Sequence, residues 1–188
     1  PAHGQAIARF SVEWPRVRLW TPDDPQLYFC DVRIKGRDAF RRRFGFCEVT
    51  VEGPDLKLNG RKVFLKGMSN HHDLGALGAA AYPRAIERRF RLMKDFGFNA
   101  VRCSHNPYSQ EFYDLADELG LLVWHDFMFA CGRYPATDGF LAEIAAEAEH
   151  QVKRLKEHPS IALWCGDNEC RLCTWLYAGK KPGRLMDV

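Results

Sequence analysis

The chain has 188 residues, 46% of them hydrophobic and 13% aromatic, which is enough to bury a core in one domain or one and a half. Its formal net charge of +3 is small and its acids and bases are interspersed, which excludes a basic face for nucleic acid or for a membrane surface. No apolar run approaches the roughly 20 residues that span a bilayer. Seven cysteines, an odd number scattered through apolar segments, argue against a disulfide framework and favour a reducing compartment without assigning one.

The first 52 residues predict antiparallel β structure. Three segments are rich in β-branched and aromatic residues and are separated by turn residues, at 6–12, 26–34 and 40–51. Asn59-Gly60, between two short apolar alternations, is the strongest hairpin signal in the chain.

From residue 63 onward the pattern alternates between strands and helices. Strands are predicted at 63–68, 100–103, 121–124 and 161–165. Helices are predicted at 84–96, around 112–119, and from a cap near Thr137-Asp138 to an end marked by Pro159. This alternation predicts right-handed crossovers and a parallel sheet, either doubly wound or part of a barrel.

Polar clusters follow each predicted parallel strand, and they favour a barrel. A βα barrel assembles its chemistry at the carboxyl ends of several strands, whereas a doubly wound sheet usually has one glycine-rich phosphate turn, which this sequence lacks. The four clusters are Asn70-His71-His72-Asp73, Ser104-His105-Asn106, His125-Asp126 and Asp167-Asn168-Glu169.

Glu169 is the best single candidate for chemistry. A carboxyl at a barrel rim, beside a tryptophan and close to Asp167, suits a general acid. The alternative is that Asp167 and Glu169 merely solvate a loop.

The histidines have structural alternatives too. His71 and His72 are adjacent, so on an extended backbone they point to opposite sides and one of them faces a site. His105 could be a satisfied structural histidine, and Asp126 could support its neighbours or cap a turn. Four polar clusters at one rim are stronger evidence for a functional site than any single cluster.

These clusters and their flanks resemble glycoside hydrolase family 2, which contains the retaining β-galactosidases, β-glucuronidases and β-mannosidases. The resemblance covers nearly the whole chain in the family's order, through LWTPDDPQLY, FRRRFGFCEV, LNGRKVFLKGMSNHHDLGALG, NAVRCSHNPYSQEFYDLADELGLLVW and HPSIALWCGDNE. It implies an α/β fold: the first half of a (β/α)8 TIM barrel at residues 53–188, preceded by the end of an immunoglobulin-like β-sandwich at residues 1–52.

The resemblance also implies roles for the rim residues. Glu169 would be the general acid/base, Asn168 would bind the sugar 2-hydroxyl, and Arg102 would keep the nucleophile ionised. The nucleophilic glutamate would come from a later strand beyond residue 188, so we expect a fragment that is inactive by itself. We expect no metal and no cofactor. The residues that would hold sugar hydroxyls are His71, His105 and Asp126.

The expected substrate is a β-linked glycoside, with a β-mannosidase preferred and a β-galactosidase or β-glucuronidase next. Cys47 stands where the family often has arginine, and Asp167 stands where mannosidases often have asparagine. Oligomeric state is not predicted.

Two functions from other classes stay open. One is a metal-dependent hydrolase barrel, in which His71, His105, His125 and Asp126 would converge on an ion. The other is a carbohydrate-binding relative that keeps the rim but has lost the nucleophile. Cys170-x-x-Cys173 is a weak zinc or redox signal.

Overall fold

A computed structural model describes residues 7–178 of the chain. The helices are α1 (Pro83–Asp95), α2 (Gln110–Leu119), α3 (Asp138–Leu155) and α4 (Cys170–Ala178), and a 3₁₀ turn covers Gly75–Leu77. The strands are β1 (Tyr28–Ile34), β2 (Asp38–Phe44), β3 (Val49–Glu52), β4 (Asp55–Leu58), β5 (Arg61–Lys62), β6 (Gly67–His71), β7 (Ala100–Ser104), β8 (Leu122–Ala130) and β9 (Ile161–Asn168).

The last four strands form one parallel sheet in the order β6-β7-β8-β9. Helices α1, α2 and α3 each connect one of these strands to the next. The strand order follows the chain without the reversal that a doubly wound sheet requires. The predicted alternation is therefore confirmed, and the arrangement is that of consecutive units of a βα barrel.

The main core lies between the outer face of this sheet and helices α1 and α2. Apolar residues at helical spacing on each helix meet alternate residues of β7 and β8, as their periods of 3.6 and 2 dictate. Its largest fully buried members include Tyr113, Phe90, Phe112, Leu121 and Leu155.

A second core closes the amino-terminal end of the parallel strands. Trp20 is fully buried there against Leu58, Ala100 and Leu122. Its Nε1 donates a hydrogen bond of 2.8 Å to the carbonyl oxygen of Asp117 in α2. The segment before β1 is therefore packed onto the barrel units and does not stand apart from them.

Helix α3 begins at the predicted cap and ends at Leu155, four residues before Pro159, but it buries less than its pattern implies. Its cap is confirmed, because the Thr137 hydroxyl accepts a hydrogen bond from the Phe140 amide at 3.4 Å. Of the expected apolar stripe, only Leu155 is buried, and Val152 is 36% exposed. The 3.6-residue period fixes which face is apolar, whereas burial needs a neighbouring element to cover that face.

The predicted hairpin is confirmed at Asn59 and Gly60, which both take positive φ, at 52° and 74°, between β4 and β5. Other strand bounds were wrong. Residues 7–12 form no strand, and residue 6 lies outside the described residues. The segment 40–51 is broken between β2 and β3, where a Cβ on Gly45 would lie 2.6 Å from the Pro159 side chain.

The first parallel strand was also misplaced. Residues 63–66 are outside β6, which runs instead to His71. The Asn99 side chain hydrogen-bonds two backbone groups in this segment. It accepts from the Lys66 amide at 2.7 Å and donates to the Phe64 carbonyl oxygen at 2.9 Å. The third and fourth parallel strands extend beyond their predicted ends to Ala130 and Asn168, because their polar residues lie on the strands themselves.

Strands β1 and β2 form an antiparallel ribbon that is mostly exposed to solvent. Its apolar face includes Val32, Ile34 and Phe40, which are 42%, 58% and 49% exposed. A complete sandwich is not seen within residues 7–178, and the boundary at 52/53 falls in the turn between the paired strands β3 and β4. Across the described part of the chain, no helix combines the length and the apolar character that a bilayer crossing needs.

Candidate active site

Strand alternation sorts the polar residues of β7 and β8 onto two faces. Cys103 and His125 are paired in register and point into the helix-covered core. Arg102 and Asp126, one position away on each strand, point to the opposite, inner face of the sheet. A residue on the inner face at the carboxyl end of a barrel strand is where catalytic groups are found.

Asp126 is the centre of the polar cluster on the inner face. Its side chain is fully buried, and its carboxylate receives Nε of Arg102 at 2.9 and 3.0 Å to its two oxygens. Nδ1 of His105 lies 2.6 Å from the same carboxylate. A buried carboxylate is tolerated because it is paired and hydrogen-bonded on both oxygens. Asp126 therefore fixes the orientation of Arg102 and His105.

Arg102 links this carboxylate to the fourth parallel strand. Its Nη2 donates to Oδ1 of Asn168 at 3.0 Å, and its guanidinium carbon lies 5.1 Å from the centre of the Trp124 ring. The hydrogen bonds that Arg102 donates to Asp126 raise the pKa of Arg102, so it is a permanent cation. Its Nη1 makes no hydrogen bond to any residue within 7–178, which leaves one donor group for a further anion.

The histidines occupy the rim next to this network. The rings of His71 and His105 meet edge to face with centroids 5.4 Å apart. His72 packs instead on Tyr108 at 4.8 Å, so the expected divergence of the adjacent histidines is confirmed. Because a carboxylate accepts, His105 Nδ1 carries the proton that faces Asp126. In the neutral ring, His105 Nε2 is then an acceptor.

Glu169 follows β9 directly and is exposed. Its Oε2 accepts a hydrogen bond of 3.4 Å from the Cys131 thiol, and Nδ2 of Asn168 donates to the same sulfur at 3.5 Å. The Cys131 amide also donates to the Asn168 carbonyl oxygen at 2.8 Å. The hydrogen bond to Glu169 raises the pKa of Cys131. Cys131 is therefore protonated and bridges Asn168 and Glu169.

Both Glu169 and Cys131 have backbone conformations that L residues rarely adopt, with φ of 59° and 48°. Such positions cost about 1 kcal/mol or more each and cluster at functional sites. The register of β8 and β9 shifts between Asp126 and Phe129, and a bulge of this kind redirects the side chains that follow it.

The structure thus brings all six residues named from the sequence into one continuous contact line. It runs from His71 through His105, Asp126, Arg102 and Asn168 to Cys131 and Glu169. Cys131 was not anticipated. The available signal was its position directly after the third parallel strand, which ends at Ala130.

His125 does not belong to this line. It is fully buried on the core face, where Nδ1 lies 3.0 Å from the Tyr113 hydroxyl. Burial, aided by the charge of Arg154, lowers the pKa of His125 from 6.5 to about 4. A metal centre built from His71, His105, His125 and Asp126 is therefore incompatible with the structure, because these residues lie on opposite faces of the sheet.

Two other groups within residues 7–178 have donor atoms close enough to share an ion. Asp114, Asp117 and His158 form one, and Arg43 already pairs with both aspartates there, at 2.9 and 3.8 Å. Nδ1 of His158 lies 2.6 Å from Asp117. These contacts satisfy the acids and tie β2 to α2.

Cys131, Glu169 and Cys173 form the second group, with all donor atoms within 4.8 Å of one another. It lies at the candidate active site itself, and within residues 7–178 no cationic side chain hydrogen-bonds to Cys131 or Glu169.

Below the rim, the inner face of the sheet lines an open cavity of about 300 Å³. Its walls are mainly apolar, including Leu65, Ala100, Leu122 and Leu163, with Arg102 and Trp124 toward the rim. Layers of apolar side chains at this depth are typical of a barrel interior.

Comparison with known proteins adds family evidence to this geometry. The sequence profile described as glycosyl hydrolases family 2, TIM barrel domain, matches residues 49–187. A β-mannosidase of Mus musculus is 44% identical over 153 residues, which cover 76% of this chain and 17% of that protein. The β-galactosidase BoGH2A of Bacteroides ovatus is 34% identical over 162 residues, covering 81% of this chain and 19% of that protein.

Among solved structures, the β-glucuronidase of Bacteroides uniformis superimposes with a TM-score of 0.78 at 28% identity, covering 87% of this chain and 20% of that one. The chain thus spans about a fifth or less of the length of each of these proteins.

Proposed function

The chain belongs to glycoside hydrolase family 2, and we propose that it carries the acid/base side of the active site of a retaining β-glycosidase. The observation that supports this most is the contact line from His71 to Glu169, assembled from the ends of four successive parallel strands. Retaining hydrolysis requires an acid/base carboxyl, a nucleophilic carboxylate and contacts to the sugar hydroxyls.

In this proposal Glu169 protonates the departing glycosidic oxygen and then removes a proton from the attacking water. Its exposed position beside Asn168 leaves it accessible to a bound glycoside. The Cys131 thiol, which donates to one of its oxygens, holds the carboxyl in place without adding charge.

Asn168 binds the sugar 2-hydroxyl through its side-chain amide. Arg102 holds its Oδ1, so the amide orientation is fixed before substrate arrives. A contact to the 2-hydroxyl gains strength as positive charge develops on the sugar ring, so a fixed donor there lowers the barrier.

Arg102 also stabilises the ionised nucleophile, which the family resemblance places on a later strand. Its remaining Nη1 group supplies the donor, and its cation favours the charged form of a nearby carboxylate. His71 and His105 bind sugar hydroxyls at the rim. Asp126 acts through Arg102 and His105, because its buried carboxylate is occupied by both.

For the substrate we propose a β-mannoside. The mannosidase relative is 44% identical to this chain, against 34% for the galactosidase relative. Mannose carries an axial 2-hydroxyl, so the geometry around Asn168 is where selectivity would arise. The proposed family context also includes the end of an immunoglobulin-like sandwich at residues 1–52, for which the exposed apolar face of the ribbon is the supporting feature.

The reaction class is tested with Glu169→Ala in the full-length gene product. Aryl β-mannosides with poor leaving groups should lose about 10³-fold or more in rate, because they need protonation. Activated aryl glycosides should lose less in the first step, and added azide should restore their turnover, since an anion needs no general base. Equal losses on both substrates without azide rescue would refute the assignment. Glu149→Ala, on the exposed face of α3, is the matched control.

The substrate is tested with aryl β-mannoside, β-galactoside and β-glucuronide. We expect the largest kcat/KM for the mannoside. A larger value for the galactoside or the glucuronide would reassign the sugar while leaving the role of Glu169 intact.

A further inference from the structure

Two thiols and a carboxylate meet at the candidate active site. Cys131 and Glu169 are exposed, Cys173 is 9% exposed, and their donor atoms all lie within 4.8 Å of one another. The Cys131 sulfur and Oε2 of Glu169 are already 3.4 Å apart. Cys173 therefore lies within reach of Cys131 and Glu169 across the site.

The backbone holds these three residues in place. The Cys131 amide donates to the Asn168 carbonyl oxygen at 2.8 Å, which joins the ends of β8 and β9. The Cys173 amide donates to the Glu169 carbonyl oxygen at 2.9 Å, across the first turn of α4. Cys131 and Glu169 both have positive φ, so the backbone changes direction at each of these two residues.

We propose that Cys131, Cys173 and Glu169 form a binding site for a thiophilic divalent cation such as Zn²⁺. Two sulfurs and one carboxylate oxygen are a tetrahedral donor set that leaves a fourth position for water. Ligands on such an ion lie about 3.5 to 3.8 Å apart, so the site closes around it with shifts of about 1 Å. Binding converts both thiols to thiolates and releases two protons to solvent.

The donor set selects against hard cations. Mg²⁺ requires about six oxygen ligands in octahedral geometry, and this group supplies one carboxylate. The site is therefore not suited to a resident magnesium cofactor. The thiophilic cation proposed here has no role in the proposed hydrolysis. Bound zinc would inhibit, because it occupies the carboxylate that must donate the proton; this consequence rests on the proposed function.

The site is tested by metal binding to the full-length gene product with Cd²⁺ and Zn²⁺ as probes. Cadmium bound to thiolates gives an ultraviolet charge-transfer band whose intensity counts the sulfur ligands. We expect a band for two thiolates per cadmium in the wild type and half of that intensity in Cys131→Ser and in Cys173→Ser. Each variant should bind Zn²⁺ about tenfold more weakly or worse.

Cys30→Ser is the matched control, since Cys30 is an exposed thiol on the ribbon, and it should change neither the band nor the affinity. Mg²⁺ should not displace cadmium. Cys131 follows β8 and Cys173 lies in α4, so if one of the two serine variants fails to fold, the other variant still tests the site. Loss of the band in Cys30→Ser, displacement by Mg²⁺, or an unchanged band in a folded Cys173→Ser would overturn the proposal.

The metal site and the hydrolase function can fail separately. If the full-length protein hydrolyses glycosides but gives no two-thiolate band, the metal site is wrong. If the band appears without hydrolysis of any glycoside, the proposed function is wrong and the metal site stands. If both hold, Zn²⁺ should inhibit the wild type reversibly with chelator, and Cys173→Ser should be less sensitive.

Discussion

At the scale of single residues, the buried Asp126 carboxylate organises the candidate site. It is fully buried and paired with Arg102 at 2.8 Å and with His105 at 2.6 Å. Asp126→Asn keeps the shape of the side chain but leaves the arginine cation without its counterion. We expect the free energy of unfolding to fall by about 3 kcal/mol, measured by urea denaturation.

Asp31→Asn is the control for this substitution. Asp31 pairs with Arg41 at 2.6 Å on the exposed ribbon, where water replaces the lost contact, so no resolvable change is expected. Equal destabilisation by the two substitutions would show that burial of Asp126 does not carry the effect.

His125 gives a second prediction at this scale, on pH dependence. Its pKa is about 4 in the folded state because burial disfavours the charged ring, and its ordinary value is 6.5. His125 is thus protonated below about pH 6.5 in the unfolded chain but only below about pH 4 in the folded chain. The stabilisation is present above pH 6.5 and is lost progressively as the pH falls toward 4, by about 3 kcal/mol in total.

His125→Gln should therefore flatten the dependence of the urea midpoint on pH between 6.5 and 4. His150→Gln, at an exposed position on α3, should leave the slope unchanged. A His125→Gln variant with the wild-type slope would contradict the assignment.

At the scale of elements, the end of α2 is fitted against the segment that precedes β1. Gly120 has φ of +71°, and a Cβ there would lie 2.1 Å from the carbonyl oxygen of Pro22. Gly97, at the end of α1, has nearly the same conformation, with φ of +78°, but nothing within 4 Å of the added atom. The two glycines therefore separate backbone strain from a clash between elements.

Both Gly→Ala substitutions should cost about 1 to 2 kcal/mol for the left-handed conformation. Gly120→Ala should cost about 2 kcal/mol more, because the backbone at Pro22 must move. Thermal unfolding measures both. Identical shifts in Tm would mean that the segment before β1 yields freely and is not packed on the barrel units as described.

At the scale of the whole molecule, the parallel sheet presents an open inner face. An apolar cavity of about 300 Å³ lies on this face, below the rim. Retaining hydrolysis requires two carboxyl groups, and the rim carries one proposed catalytic carboxyl, that of Glu169. We expect a polypeptide of these 188 residues to release no product from an activated aryl glycoside under conditions where the full-length gene product does. Turnover by the 188-residue chain that Glu169→Ala removes would contradict this expectation.

The alternation of strands and helices, the sequential parallel sheet and the Asn59-Gly60 hairpin were all predictable from the residues alone. These follow from local periodicity and from turn chemistry, which act over a few residues and do not depend on distant partners. The sequence also identified the rim residues, because polar side chains after four successive strands have to meet at one edge of a parallel sheet. The strand ends were misjudged at His71, Ala130 and Asn168, where the strand continues through polar residues.

The contacts of each rim residue could be known from the three-dimensional packing alone. Strand alternation sends His125 into the core and Asp126 to the inner face, and contacts between β8 and the end of β7 make Asp126 a positioning group for Arg102 and His105. Cys131 and Cys173 are 42 residues apart along the chain, yet both lie close to Glu169. The register shift between β8 and β9 that precedes Cys131 was not revealed by the pattern of residues. Such contacts depend on how separate elements pack together, and local sequence carries no record of that packing.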